Sequence, residues 1–512
     1  MHWALRAKPL RVLAADRTQL AVSTPELPHA GSAYRGLRYP GLDRLAWHLL
    51  VAGIVLRLAL SAHALLYLGY PYEAPLSGSF PFKIHPGTYL LTLALFCALA
   101  SRGNPLRAAL HQARVEPLLA INLVVMVVCL IWVVLRHGTS GAAFMVDTHW
   151  APAMGALALL HFEDARRRQL LRVLVWFMAL NAALALAEFG LQARLIPLFN
   201  QSQATGFATE EYFRSSALLG HPLVNAKLTA ALLPMALLLP MRAIWRWGHV
   251  VLLLLALLAF GGRSALLSSL LIYGLWALIR LAADGLRGRF SYLQLTGGSV
   301  LLTLGLAALV AVVALTGLGE RIFSGLYLDN SASVRLRVWS AYDFVNLEQL
   351  WLGISAREID TVALRLGLDP AYEAIENGWI YLSLQMGLVF FSLWVVGFGC
   401  LLVWMLRQAP ALAAVGVVVF LLNVSANNAL ASKTVVLGML TIYAAVAGAQ
   451  ARSARRADVT PAQALGRGGR YVHRSAAAGP ALGQQLHEPS RGLGLSQGRP
   501  GTTRWTRPAG TP

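Results

Sequence analysis

Charge is what this chain lacks. Only 13% of its 512 residues are Asp, Glu, Lys or Arg, and the acids, 23 in all, are the scarcer sign. A water-soluble protein carries roughly twice that charged share, so a soluble globular chain is excluded. Cysteine is scarce too: Cys97, Cys129 and Cys400 all fall in apolar runs, which supports neither a disulfide framework nor a Cys-based metal site. P-loop and glycine-rich dinucleotide motifs are missing, as is any soluble domain that could hold a nucleotide sugar. Residues 1–44 are polar and broken by prolines, unlike a cleavable signal peptide, so the first span is expected to serve as the insertion signal.

What the chain does have is apolar sequence in long runs. Hydrophobic residues make up 57% of it, and the mean hydropathy is +0.58. The uncharged runs LLAINLVVMVVCLIWVVL (118–135) and LLTLGLAALVAVVALTGL (301–318) approach the ~20 residues that cross a bilayer. Lipid offers no partner to an unpaired backbone group, and continuous apolar runs lack the alternation of a barrel, so the spans should be helices. The expected fold is an all-α, polytopic transmembrane bundle of about 12 spans with one large extracytoplasmic helical loop. The spans are expected near 45–69, 83–101, 118–135, 142–161, 170–190, 217–240, 247–260, 264–282, 293–316, 380–406, 411–427 and 432–449.

Loop charge orients them. With the N-terminus cytoplasmic, the inner loops collect Arg102, Arg107 and Arg114; Arg166, Arg167 and Arg168; Arg242 and Arg246; Arg280, Arg287 and Arg289; and Arg407. The longest outer loop, 317–377, holds five arginines against nine acids. This is the positive-inside pattern. The layout is therefore a cytoplasmic segment 1–44, a membrane domain 45–449 and a basic tail 450–512 expected to be disordered, with ten arginines against Asp458 and Glu488. Such a tail can touch anionic lipid. The net charge of +20 resides in short loops and the tail, so no nucleic-acid partner is expected.

Polar groups in or beside spans are expensive and mark function by default. Once oriented, many gather near the outer face: Asp147 and His149; Arg214, His221 and Asn225; Arg263 in a GGRS turn; Asn423, Asn427, Asn428 and Lys433; and Arg335, Glu376 and Asn377 from the large loop. Each has a plainer reading. Arg263 could snorkel to headgroups, Arg335 could be a solvated charge, and Glu376 an ordinary helix-surface carboxylate. His221 could be a loop or packing residue, Asp147 and His149 a buried pair, and the asparagines interhelical glue. In the loop, Ser331 or Ser333 should cap a helix through VRLRVWSAYDFVN (334–346), with Arg335, Trp339 and Tyr342 on one face and Arg337 about 200° away. Asp369-Pro370 should start a second helix that brings Glu376 and Asn377 to the membrane surface.

Arginines at one membrane face suit a diphosphate, whose oxygens match the guanidinium fork. A nearby carboxylate can take a proton from an attacking hydroxyl, and Asn and aromatic groups suit sugars. These features describe glycosyl transfer from a lipid-linked diphosphate sugar.

Over roughly 140–445 the chain resembles the O-antigen ligase and polymerase-like family of bacterial envelope glycan enzymes. The resemblance rests on AFMVDTHWAP (143–152), RSSALLGHPLVNAKLTA (214–230), FGGRSALL (260–267), VRLRVWSAYDF (334–344), LWLGIS (350–355) and IENGWIYLSLQMGLVFF (375–391). It implies that Arg263 and Arg335 bind the donor diphosphate and that Glu376 activates the acceptor hydroxyl. Asn377, His221, Asn225, Arg214, Trp339 and Asp147 are the candidate substrate contacts. No cofactor or metal is implied. Ligase members commonly have His before the Asn, whereas this chain has Glu376, which favours a polymerase-like branch acting on undecaprenyl-diphosphate-linked repeats. The expected location is the bacterial cytoplasmic membrane, with polysaccharide export or chain-length proteins as partners. Rival readings are a ligase that transfers finished glycan, a lipid-linked-sugar transporter and a non-catalytic assembly subunit.

Overall fold

A computed structural model describes residues 38–72, 79–197, 213–288, 311, 314, 337–368, 375, 377–425 and 427–468, with side chains as far as 454. The chain divides into two units, Met1–Arg455 and Arg456–Pro512. Every regular element among the described residues is helical. Among the described residues, four helices are long and apolar enough to cross a membrane: α5 (Pro117–His137), α7 (Asp164–Leu191), α10 (Arg263–Leu286) and α13 (Gly378–Gln408). Around them stand α1 (Pro40–Ala59), α2 (Ala62–Tyr67), α3 (Pro86–Ala100), α4 (Pro105–Val115), α6 (Ala151–Leu160), α8 (Pro222–Leu232), α9 (Ala243–Ala259), α14 (Ala411–Ser425) and α15 (Val436–Gly468). The expected span 293–316, apart from residues 311 and 314, and the expected helix start at Asp369-Pro370 lie outside the described residues. In the second unit, residues 456–468 are helical.

Local chemistry explains many of the helix starts. Proline occupies the first turn of α1, α3, α4, α5 and α8, where its missing N–H is one of the unpaired donors anyway. His85, Asn104 and His221 cap α3, α4 and α8 through their side chains. The outward faces are apolar: on α5, Val124, Val128, Ile131 and Leu135 are all exposed, and on α10 Leu267, Leu271 and Leu278 are. Exposed apolar stripes of this kind suit lipid rather than water.

The helices run antiparallel between two polar ends. At one, which we call the Asp43 end, Asp43 accepts from Arg166 at 2.8 Å and pairs with His161 at 3.1 Å, and Arg452 reaches Asp164 at 3.2 Å. Trp404 there donates to Glu116 at 2.9 Å. At the opposite, His137 end, the Ser215 N–H meets the last carbonyl of α9, Ala259, at 3.1 Å. Gly262, just before α10, lies so close to α8 that a Cβ on it would stand 2.5 Å from that of Ala226. Between Phe144 and α6 the chain makes a π-turn over Met145–Trp150, a widened turn frequent at functional sites.

The largest departure from the expected layout is inside α13. The Trp379 ring lies 5.6 Å from Trp394 and 6.0 Å from Phe398, yet a straight helix would hold the nearer pair about 22 Å apart. The chain therefore folds back at Gly387, whose φ of 73° is non-helical. Residues 378–386 form one arm, and 388–408, about 30 Å long, form the other. Each carbonyl freed at the bend finds a donor: Leu384 O takes the Ile354 N–H at 2.8 Å, and Met386 O the Trp132 indole at 3.0 Å. Gln385 O lies 2.6 Å from His137 Nε2. Gly353 and Gly387 allow this contact, because a Cβ on Gly353 would stand 2.4 Å from Gln385 O and one on Gly387 2.3 Å from Trp351 O.

A small second core covers the short arm. A 3₁₀ turn (Val338–Phe344), α11 (Leu347–Leu352) and α12 (Ala356–Arg365) bury Val338, Ala341, Ile359 and Val362 with Ile380 and Leu384. Asn346 with Gln349 and Ser355 with Glu358 form capping boxes, in which side chain and backbone satisfy each other's helix-start groups. The Ser355 backbone N–H and hydroxyl hold the Glu358 carboxyl below its ordinary range.

Candidate functional site

The fold-back sets the depth of the site. Asn377 caps the short arm, its Oδ1 accepting the N–H groups of Trp379 and Ile380 at 3.0 and 3.3 Å. Because Trp379 packs against Trp394 and Phe398, Asn377 stands about 10–15 Å along the long arm from Gly387, rather than at the top of a span. The end of α14 reaches the same level: the Trp379 indole donates to Ser425 at 3.1 Å, and the Gly378 N–H to Asn427 O at 2.9 Å.

Lys227 enters from α8. It is 7% exposed and donates through Nζ to Asn427 Oδ1 at 2.7 Å. Asn427 in turn donates to Asn423 O, and Asn423 donates to Ser268 of α10 at 2.7 Å. One hydrogen-bonded chain thus ties α8, α10, α14 and the start of α13. Sequence reasoning passed over Lys227, although a lysine inside an apolar run was a signal. Arg263 opens α10 immediately after the Gly262–Ala226 contact, so its backbone lies beside this part of α8.

Farther along the His137 end, residues 213–221 are pinned by α7. Glu188 accepts the Leu195 N–H at 2.7 Å on one carboxylate oxygen and those of Ser216 and Ala217 at 2.8 and 2.9 Å on the other. This holds Ala217 at φ 38°, a backbone setting L-residues rarely adopt. Asn225 donates to Ser216 O and His221 O and accepts from Asn181 at 2.8 Å. His221 caps α8 with Nδ1, and its ring stacks on His63 with centroids 6.4 Å apart. Burial is the largest influence on His221, and Lys227, His63, Arg214 and Arg194 lie near enough to act on it electrostatically. Arg194 donates to Arg214 O at 3.1 Å. His63, His221, Arg194 and Arg214 thus lie together.

Asp147 lies in a separate, closed network. Its carboxylate is fully buried and accepts from Tyr72 at 2.9 Å, Thr88 at 2.6 Å and the His85 N–H at 3.0 Å. Arg57, 2% exposed, approaches it at 3.9 Å and donates to its backbone oxygen at 2.7 Å. Asp147 and His149 do not pair with each other; His149 Nε2 lies 2.7 Å from Leu430 O. Thr148 joins the network to the turn before α15 through Ser432 O and the Thr434 N–H.

Of the sequence-predicted residues, Asn377, His221, Asn225, Arg214 and Arg263 converge on the His137 end. Trp339 is 61% exposed on a 3₁₀ turn rather than on the expected α-helix. Tyr342 meets Ser383 of the short arm at 2.6 Å. Arg335 and Glu376 lie outside the described residues. Among the described residues no cluster of His, Cys, Asp and Glu could hold a metal ion. The three cysteines are free thiols. Fold and site together define the chain as a helical protein with apolar membrane-type helices and a recessed, basic polar site. No protein-family model and no curated protein matches it.

Proposed function

We propose that the chain is a polymerase-like glycosyltransferase of the bacterial cytoplasmic membrane that joins undecaprenyl-diphosphate-linked sugar repeats at its extracytoplasmic face. The observation that carries this reading is the recess in which Asn377, the Lys227–Asn427 pair and the start of α10 meet. It sets cations and amides, suited to a diphosphate and a sugar, among apolar helices suited to a lipid carrier. Loop charge and the antiparallel helices support about twelve spans, with the His137 end outside.

In this reading Arg263 and Arg335 hold the donor diphosphate, and Lys227 adds a third cation. Glu376 accepts the proton of an acceptor hydroxyl as that oxygen bonds to the anomeric carbon. The bond from the anomeric carbon to the diphosphate oxygen breaks, and undecaprenyl diphosphate leaves with the electron pair. Cations placed where that negative charge develops stabilise the transition state.

The test is the glycan-lipid profile of cells carrying Arg263→Ala, Glu376→Gln or Lys227→Gln at normal expression. Gln at position 227 still reaches toward Asn427 but removes the charge. Accumulation of single repeat units on the carrier is expected. Long chains stranded on the carrier would instead mean a ligase, and unchanged polymer in all three variants would refute the proposal. Alanine at position 335 should also cost more activity than alanine at 337.

A further inference from the structure

Helix α4 is short, amphipathic and tied at both ends to apolar helices. A three-residue turn after Ser101 joins it to α3, and α5 begins at Pro117, directly after the Glu116 that closes α4. From Pro117 to Leu135 α5 carries no charge. Its 21 residues rise about 31 Å, close to the thickness of the hydrocarbon layer. A crossing by α5 therefore puts its start, and α4 with it, at a membrane boundary. Helix α9, which finishes at the His137 end, starts toward this same Asp43 end, and there Trp245 and Trp247 are largely exposed. Tryptophan favours the headgroup region.

The faces of α4 are sorted to match. Ala108 and Gln112 are buried, and the Gln112 amide donates to Leu157 O of α6 at 2.6 Å, which fixes one face on the bundle. Leu106 and Leu110, 69% and 53% exposed, stand about 160° around the helix from that face. Arg107 and Arg114, both exposed, share a third face, about 70° from the leucines and about 10 Å apart along the axis. Neither guanidinium has a partner among the described residues. The neighbouring Glu116 carboxylate accepts from the Trp404 indole at 2.9 Å.

We propose that α4 is an in-plane interfacial helix that binds anionic phospholipid, with Leu106 and Leu110 among the acyl chains and Arg107 and Arg114 on the phosphates. Charge and shape select this occupant. Leucines turned away from the bundle suit acyl chains, as the apolar face of an interfacial helix does, and arginine forks match phosphate oxygens. A soluble polyanion would leave the leucines in water, and a zwitterionic phospholipid brings no net charge to the arginines. The site belongs to the Asp43 end and does not depend on the glycosyltransferase reading.

The experiment places the full-length protein in phosphatidylcholine nanodiscs with diazirine-tailed phosphatidylglycerol or phosphatidylcholine, and maps the adducts by peptide mass spectrometry. Adducts on the exposed face of α10 (Leu267, Leu271 and Leu278) serve as the internal reference for bulk lipid. Against that reference, residues 105–115 should favour the anionic probe about twentyfold, since each arginine near an anionic headgroup contributes about fivefold. Arg107→Gln should lower the preference about fivefold, and Arg107→Gln/Arg114→Gln should abolish it. Arg280→Gln/Arg287→Gln removes the same charge at the end of α10 and should leave it unchanged. Excess inorganic phosphate should leave the adducts in place. No anionic preference on α4 in wild type would overturn the proposal, and so would its survival in the double α4 variant. An equal loss in the Arg280/Arg287 control would assign the attraction to net charge, and displacement by phosphate would assign it to a soluble anion; either result also overturns it.

Discussion

Replacing Gly387 by alanine tests the fold-back that sets the depth of the site. The residue has φ +73°, and its Cβ would stand 2.3 Å from Trp351 O and 2.5 Å from Gly353 N. Both are backbone atoms, so no change of rotamer relieves the clash. The left-handed setting costs an L-residue about 1–2 kcal/mol, and overpacking typically adds about 1–3 kcal/mol. The sum, about 2–5 kcal/mol, is a large part of the 5–15 kcal/mol that usually holds a protein folded. Relief by separation would pull the Ile354 N–H from Leu384 O, now 2.8 Å apart. Gly399→Ala is the control in the same helix: nothing lies within 4 Å of its Cβ position, and alanine is favoured there by up to about 1 kcal/mol. Melting in detergent, followed by fluorescence-detected size exclusion, should drop by roughly 2–6 °C for Gly387→Ala. The control should hold or rise. Equal melting of the two variants would refute the backbone-contact argument. A fall in polymer should accompany the fall in stability, because the short arm carries Asn377.

Two further outcomes follow from the buried and capping networks. Arg57→Met strands the Asp147 carboxylate in the core and should cost about 3–5 kcal/mol, while the double variant Arg57→Met/Asp147→Leu should recover part of it; a double variant no better than the single would show that the pair is not the source of the loss. Glu358, with its carboxyl held below the ordinary range by Ser355, stabilises the start of α12 fully above the unfolded value of about 4.3. That contribution is lost as pH falls through the lower folded value. Amide exchange in α12, corrected for intrinsic rates, should accelerate modestly as pH falls below the ordinary carboxylate range in wild type, but not in Glu358→Gln. The effect is small because the carboxylate is exposed.

Hydropathy made the helices legible, and the expected spans outside 293–316 each overlap a described helix. Direction within a helix is another matter, because an apolar run reads the same whether it crosses or turns back. The signal for the reversal was length: Gly378–Gln408 holds 31 residues, well beyond the ~20 a crossing needs. The LWLGIS and QMGLVFF stretches each carried one of the two glycines that meet, but only the fold shows why both must be glycine. Arg57, Glu188 and Lys227 were visible as charges within apolar runs. Attention to residues near span ends passed them over, since sequence alone does not say which ends lie level. Asn377, Asn225 and Arg263 lie toward one end of the helices, with Asn377 recessed. The two remaining catalytic candidates, Arg335 and Glu376, fall outside the described residues.

What satisfies each buried polar group separates scaffold from site. Glu188 receives three backbone N–H groups, and Asp147 receives Tyr72, Thr88 and the His85 N–H. Turning either toward a ligand would leave buried donors unpaired, at about 1–3 kcal/mol apiece. Asn225 is likewise held by Asn181, Ser216 and His221. In the structure these groups fix loops and helix starts. The anchored carboxylates therefore fix the loop before α8 and the start of α3.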